Sequence, residues 1–429
     1  MKKIIKNIAL GLLLVITALP FISCGHEPVF YGIIHDVIPE AATINGNITT
    51  LSRCTVNSNE YIFISNGGPL LYKPLSSSEH GEWTSSNITL PFSLHHYNYY
   101  ATSTEGIGHN GEFVHRVIAD ASNIYILTAE FEQNDQYGVV MPKSFHLWTK
   151  PLDSIFDASV DWYDIVKTRE NLFNFRLNLS DTEVDIDFSF FYTNAIQKAN
   201  RKAFLCVKNT WEQDTTPFKY YELNGSADPV ECTSTVTGAN LIKVNADSTK
   251  VNSAFYIGSN LYFSDSLVVT TNESKSSSAT YACLAGIINN YYSTSDLYTF
   301  KAGDSAAKLH MSASSPIASL AITNDSLIIG KGSYDKNKTY TYDGGIERVL
   351  ISDNVLEKEL TDFNNNATYQ FTTSYILMAL LCTDPTQNEA DATIYASVTY
   401  KGSSSSSSAS FTNIGLWSYY PGRGNWNRE

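Results

Sequence analysis

The chain has 429 residues and a formal net charge of −14, with 43 acidic against 29 basic side chains. Lys and Arg nowhere cluster, which excludes a surface built to hold nucleic-acid phosphates. Charged residues make up only 17% and aromatics 13%, a mix that suits strands and polar turns and excludes a predominantly helical body.

In chain order, the first element is a leader. Lys2, Lys3 and Lys6 form a positive start, Ile8 to Leu19 is apolar apart from Gly11 and Thr17, and Pro20 ends the run. This is the layout of a secretory signal, and its apolar part is shorter than the roughly 20 residues that cross a bilayer. No later apolar stretch approaches that length.

Leu19-Pro-Phe-Ile-Ser-Cys24 closes the leader and resembles a bacterial lipoprotein signal. Ser23 and Cys24 fit that pattern. Phe21 stands where the strict form has Leu, and Ile22 where it has Ser or Ala, a loosening that spirochaete-type lipoproteins tolerate. The resemblance implies lipidation of Cys24 and removal of residues 1–23. Acyl chains contribute about 0.8 kcal/mol per buried methylene, so two or three make a durable anchor. The alternative is an ordinary cleaved signal followed by an unrelated cysteine. Residues 24–42 then read as a tether and 43–429 as the folded domain.

The body repeats. Tyr61-Ile-Phe-Ile-Ser65, an Asn66-Gly-Gly68 turn and Leu70 to Leu75 form a hairpin, and Gly81-Glu-Trp83 follows. Ile124 to Thr128, then Phe145 to Leu152, then Asp161-Trp162 repeat that order. Leu71-Tyr-Lys-Pro-Leu matches Leu147-Trp-Thr-Lys-Pro-Leu, and Glu82-Trp83 matches Asp161-Trp162. Weaker copies pair Lys202–Val207 with Phe218–Leu223, Ala254–Ile257 with Leu261–Phe263, Tyr281–Leu284 with Asp296–Phe300, and Ser319–Ile322 with Leu327–Ile329. The last unit runs from Tyr375 to Trp426, and its Gly402–Ala409 stretch, almost all Ser, reads as a hairpin tip.

Tyr72, Trp148, Tyr221, Tyr298, Val349 and Trp417 mark one recurring third-strand position, spaced roughly 50 to 77 residues apart. Long periods of four strands predict a single all-β propeller of six or seven four-stranded blades. The alternative is an array of β-sandwiches. The recurring aromatic is expected at contacts between blades, and a strand within Ala42 to Val56 is expected to pair into the last sheet and close the ring.

Five cysteines remain after Cys24: Cys54, Cys206, Cys232, Cys283 and Cys382. The odd number leaves at least one without an internal partner. Cys206 and Cys232 flank a hairpin and are the candidate disulfide; buried thiols are the expectation for most of the others.

No residue is nominated as catalytic or as a metal ligand, and no cofactor is expected. His95, His96, His109 and His115 lie in one loop region with Glu105 and Glu112, yet adjacent His95 and His96 would point to opposite faces of a strand. They read as solvated loop residues. Asp181, Glu183, Asp185 and Asp187 alternate along a strand and could hold calcium, as could Asp335 to Thr339 with Asp343-Gly344. A charged edge and a polar turn are the ordinary readings. GxSxG, HExxH and P-loop patterns do not occur.

The Cys24 signal, the Leu-Trp/Tyr strands and the ending Gly415-Leu-Trp-Ser-Tyr-Tyr420 to Trp426 together resemble the β-propeller lipoproteins of spirochaete-type bacteria. That resemblance implies an extracytoplasmic envelope protein, held through Cys24 to a membrane, most naturally the outer one. The expected role is non-catalytic: a protein-binding or scaffold module without a nucleic-acid partner. The alternatives are an outer-membrane assembly factor, or a carbohydrate-active enzyme or ligand receptor working at the mouth of the propeller channel.

Overall fold

The computed structural model describes residues 44, 48, 50–76, 82–94, 112–134, 139–168, 186–192, 198–209, 218–231, 240–242, 254–256, 260–264, 269–271, 283–284, 295–301, 308–334 (without 314 and 316), 341–363 (without 353 and 354), 371, 375–400, 415–421 and 426–429. Every strand pairing among them is antiparallel.

The first sheet holds β1 (Ser52–Val56), β2 (Asn59–Ile64) and β3 (Leu71–Pro74), and a bridge between Tyr72 and Thr84 stands in for its fourth strand. The second holds β4 (Glu112–Ala119), β5 (Asn123–Asn134), β6 (Val139–Pro151) and β7 (Tyr163–Asp164), which runs into one helical turn, α1 (Ile165–Thr168). The third holds β8 (Ile186–Tyr192), β9 (Ala203–Asn209), β10 (Phe218–Glu222) and β11 (Val230–Glu231). The next strands are β12 (Asn240–Ile242), β13 (Ala254–Tyr256), β14 (Asn260–Ser264), β15 (Val269–Thr271), β16 (Cys283–Leu284), β17 (Ser295–Lys301) and β18 (Lys308–Ala313). They divide between a fourth sheet, β12-β13-β16, and a fifth, β15-β14-β17-β18. The sixth sheet is β19 (Ile317–Ile322), β20 (Ser326–Tyr334), β21 (Thr341–Ser352) and β22 (Val355–Asp362). The seventh is β23 (Tyr375–Cys382), β24 (Ile394–Tyr400), β25 (Gly415–Tyr419) and β26 (Trp426–Arg428).

Local chemistry sets the tight turns. Asn57 and Ser58 both take positive φ, as a two-residue hairpin between right-twisted strands requires. Asp120 Oδ1 accepts from the amides of Ser122 and Asn123, and Thr323 Oγ1 accepts from that of Ser326.

A four-stranded sheet has two apolar faces and cannot bury both alone. Among the described residues, five seams between neighbouring sheets each carry a core of their own. Phe63, Tyr72 and Cys54 meet Val117, Ile124 and Ile126 between the first and second sheets. Tyr125 and Leu147 meet Leu205 and Tyr221 between the second and third. Leu297 and Ala313 meet Leu327 and Val349 between the fifth and sixth, and Ile328 and Ile346 meet Leu377 and Trp417 between the sixth and seventh. Ile62 and Ile64 of the first sheet pack with Ala379, Leu381 and Leu416 of the seventh. Arg53 adds a polar tie there, donating to the carbonyls of Cys382 (3.0 Å) and Thr383 (2.5 Å). Sheets packed on both faces in chain order, with the last against the first, make a β-propeller.

The expected third-strand residues Tyr72, Trp148, Tyr221, Tyr298, Val349 and Trp417 all fall on third strands, namely β3, β6, β10, β17, β21 and β25. The described ones sit in seams, as a blade-contact role requires. Three expectations are corrected. Ala254–Ile257 and Leu261–Phe263 do not form a hairpin, because β13 belongs to the fourth sheet and β14 to the fifth. Cys283-Leu284 pairs with β13, not with Asp296–Phe300. The strand within residues 42–56 is β1, and it pairs in the first sheet; among the described residues before it, Ile44 makes the backbone hydrogen bonds toward the seventh sheet, its amide donating to Glu429 O (3.1 Å) and its carbonyl accepting from Leu416 N (3.2 Å).

The Lys-Pro-Leu repeat has a physical content that the aromatic before it lacks. Lys73 is fully buried, with Nζ 5.8 Å from the Trp83 ring; Lys150 is 1% exposed, with Nζ 5.7 Å from the Trp162 ring. Each lysine therefore sits over the tryptophan of its own repeat, a cation–π contact. Lys73 pairs across to Ile62 and Lys150 to Ile124, so both face the preceding sheet. Thr149 is one residue more than the first repeat has. With a side-chain period of two, that residue turns Tyr72 toward the second sheet and Trp148 toward the first.

Candidate functional site

Several sequence candidates lie outside the described residues: Cys24, His95, His96, His109, Glu105, Asp181, Glu183, Asp185, Asp335 to Thr339, and Cys232. Asp187 and Cys206 occupy β8 and β9. Glu112 and His115 belong to β4 rather than to a loop. Asp343-Gly344 is also strand: Gly344 in β21 is buried, and a Cβ there would lie 1.8 Å from the Tyr375 carbonyl oxygen. That close approach, and not a calcium turn, is what the glycine serves. Cys54 and Cys382 are free buried thiols; burial pushes both up, Cys382 to about 12, which keeps them protonated.

The chemistry that the structure does assemble lies on the face of the second sheet turned to the first. Directly paired residues of an antiparallel sheet share a face. Ile126 pairs with Trp148, Trp148 with Asp164, and Thr128 with His146. Three strands thus bring Thr128, His146, Trp148 and Asp164 onto one face. Glu112, at the start of β4, joins them: Trp148 Nε1 donates to Glu112 Oε2 (3.0 Å) and to Thr128 Oγ1 (3.2 Å), and the Thr128 hydroxyl donates to Glu112.

The histidine is equally well fixed. His146 Nδ1 lies 2.7 Å from Asp164 Oδ2. A carboxylate only accepts, so Nδ1 carries the proton of this bond. Asp164 Oδ1 meanwhile accepts from Val166 N (3.1 Å), which orients the carboxylate at the head of α1. The His146 ring stacks on Trp148 at 5.5 Å and 23°, and Phe92 leans on the same indole at 5.9 Å and 36°. Phe92 is held by its own segment, since Glu112 N donates to Ser93 O and Leu94 bridges to Glu112. His146, Trp148, Glu112 and Phe92 are all partly exposed.

The result is a shelf of three rings with an acid at its edge. It can stack a planar or apolar group, accept hydrogen bonds, and move a proton at His146. It lies toward one end of the propeller. Strands alternate in direction, so second-to-third and sheet-to-sheet connections gather at the end where β4 starts. Among the described residues, no group of three His, Cys, Asp or Glu side chains is placed to hold a metal ion. Neither His146 nor Asp164 is evident as a site in the sequence. The signal was there in part: His146 is two residues before the repeat aromatic Trp148, and alternation puts both on one face.

No family model and no curated relative matches the chain. Among solved structures it is similar to a thermostable family-43 glycoside hydrolase (11% identity, 75% of this chain and 96% of that one, TM-score 0.28). It is also similar to an exo-1,5-alpha-L-arabinanase from a bovine ruminal metagenomic library (10%, 74% and 98%, TM-score 0.29). A third is the C-terminal domain of gp131 from bacteriophage phiKZ (9%, 83% and 79%, TM-score 0.25). Similarity of this degree bears on neither the activity nor the ligand of this chain.

Proposed function

We propose that the chain is a lipid-anchored extracytoplasmic propeller, attached through Cys24 to the outer membrane, that binds a protein partner without catalysing a reaction. The observation that carries this reading is the Phe92–His146–Trp148 shelf: partly exposed rings, locked in place by Asp164, Glu112 and Thr128. Rigid aromatic surface costs little conformational entropy on binding, and such rings are the usual anchors of protein interfaces. Long connections borne at one end of a firm frame are where binding residues concentrate.

Two experiments test it. Metabolic labelling with a fatty acid is expected to mark the wild type and not Cys24→Ser; label on neither chain, or on both, overturns the anchor. Cross-linking in intact cells is expected to trap one partner on the wild type and to lose it in both Phe92→Ala and Trp148→Ala, with the circular dichroism spectrum unchanged. A partner retained by both variants overturns the shelf. A second reading, a receptor or enzyme for carbohydrate, draws on the same geometry, since a ring beside the Glu112 carboxylate suits a sugar. Loss of polysaccharide binding or hydrolysis in Glu112→Gln would favour it.

A further inference from the structure

Glu112 differs from the other glutamates that the fold shields from water. Every other described glutamate that is buried or half-buried has a basic partner. Glu60 meets Arg201 Nη2 at 2.6 Å, Glu222 meets Lys202 Nζ at 2.5 Å, and Glu347 meets Lys331 Nζ at 2.6 Å. Glu389 meets Arg348 Nη1 at 2.5 Å, and Glu429 meets Lys73 Nζ at 2.7 Å. Glu112 is half-buried too, yet its side chain is held by neutral donors, Trp148 Nε1 (3.0 Å) and the Thr128 hydroxyl. Both end on Oε2. Among the described residues no Lys, Arg or His pairs with this carboxylate, and none donates to Oε1.

Its strand neighbours do not make up the difference. Glu130, the register partner of Glu112 on β5, is itself acidic. Arg116, on the same strand as Glu112, pairs with Leu127, whose side chain lies in the seam between the second and third sheets. Directly paired residues share a face, so Arg116 belongs to the other side of the sheet. His146 directs its Nδ1 proton to Asp164. A carboxylate partly withdrawn from water and left without a counter-charge is costly. This one is nevertheless fixed in place, by an indole and a hydroxyl, beside the stacked rings of His146, Trp148 and Phe92.

We infer that the shelf is a receptor for a cation, and that the group it takes is an arginine side chain of the protein partner. This rests on the reading of the shelf as a protein-binding surface and adds the chemistry of the residue bound. A ring face attracts a cation, and the Glu112 carboxylate beside the rings attracts the same charge. A guanidinium is flat, weakly hydrated and forked, so it can lie against a ring and donate to Oε1 at once. A lysine ammonium is a strongly hydrated point charge and leaves the flat surface unused. A sugar would meet Glu112 without neutralising it. The chain's net charge of −14 favours encounter with a basic partner, and arginine is among the residues that carry most of the energy of protein interfaces.

Fluorine NMR of the full chain labelled with 5-fluorotryptophan tests this, the Trp148 signal being identified through Trp148→Phe. The probe is N-acetyl-arginine methylamide. It is expected to move the Trp148 signal saturably, with a dissociation constant on the order of 1 mM, and to leave the signals of the buried Trp417 and Trp426 in place. Glu112→Gln keeps the shape of the side chain and an acceptor for Trp148, and is expected to weaken binding about tenfold or more. The citrulline analogue, the same shape without the charge, is expected to move nothing. No shift with the arginine probe, an equal shift with the citrulline probe, or equal affinity in Glu112→Gln overturns the inference. A shift with xylotriose where arginine gives none overturns it in favour of carbohydrate. The partner cross-link separates the two levels. If arginine saturates the shelf while Phe92→Ala and Trp148→Ala keep the partner, the cation site stands and its assignment to the partner falls. If both variants lose the partner while arginine moves nothing, the protein-binding reading stands and the cation falls.

Discussion

The seams on the two sides of the seventh sheet solve the same packing problem with opposite chemistry. Between the sixth and seventh sheets the backbones themselves come close. A Cβ at Gly344 would collide with Tyr375 O, one at Gly330 would lie 2.8 Å from Leu377 Cβ, and one at Gly332 would lie 2.7 Å from the Ile376 side chain. Ser319 Oγ donates directly to Leu377 O (2.6 Å). Between the seventh and first sheets the link is instead made by long side chains, Lys73 and Arg53, reaching across to a carboxylate, a phenol and two carbonyls. A seam between chain neighbours forms early and locally, and glycine lets it close to backbone contact. A closing seam must find its partner across the whole chain, and directional groups with reach specify that pairing where apolar packing alone would accept others.

The largest effect that separates the two is expected from Lys73→Met. Breaking a buried ion pair from one side strands the other charge, here Glu429, and costs about 3–5 kcal/mol. Chemical denaturation should show it as a lowered midpoint. Restoring much of the stability with Glu429→Gln added to Lys73→Met would confirm that the stranded carboxylate is the cause; no restoration would point to lost packing alone. Gly344→Ala comes next, at about 2–3 kcal/mol, because the neighbour it meets is backbone and cannot rotate away. Its hydrogen-exchange signature should fall on the sixth and seventh sheets and spare β1 to β3, whereas that of Lys73→Met should include β1 to β3. Thr50→Val should cost about 1–2 kcal/mol, since it leaves Val117 N and O without the hydroxyl that serves both.

How much of this was legible follows from what a sequence pattern encodes. Third-strand residues were readable because a large apolar residue recurs there with the blade period, and Tyr72, Tyr221, Val349 and Trp417 are buried in their seams. Blade number was readable only to six or seven: the fourth sheet interleaves with the fifth, β16 returning to β13 after β14 and β15 have gone to the next sheet, so nearest-neighbour pairing misassigns all four. The Lys-Pro-Leu motif was visible as a repeat, but not its reason, since a lysine over a tryptophan is a contact across a turn. The shelf was hidden for the same cause. His146 and Asp164 are 18 residues apart and meet only because β6 pairs with β7. Closure was half legible: a residue ahead of β1 does reach the seventh sheet, through the bonds of Ile44 to Leu416 and Glu429 rather than through an added strand.

The smallest expected effect probes a charged link in the glycine seam. Arg348 Nη1 on β21 lies 2.5 Å from Glu389 Oε1, which sits in the turn before β24 with its amide bonded to Asp325 Oδ1. Glu389 is 3% exposed, and burial pushes its carboxyl above the usual range despite the pull of Arg348. A carboxyl raised in the folded state binds its proton more tightly there than in the unfolded chain. Its contribution is therefore full below the ordinary carboxylate pKa and is lost as pH rises through the raised value. Glu389→Gln cannot titrate. The melting temperature of the wild type minus that of Glu389→Gln should thus fall as pH is raised from about 4 to about 7, the range above an ordinary glutamate pKa. A difference that rises over the same range would mean that the Arg348 pair outweighs burial. The sixth–seventh seam would then be held by charge as the closing seam is, and the contrast between them would rest on glycine alone.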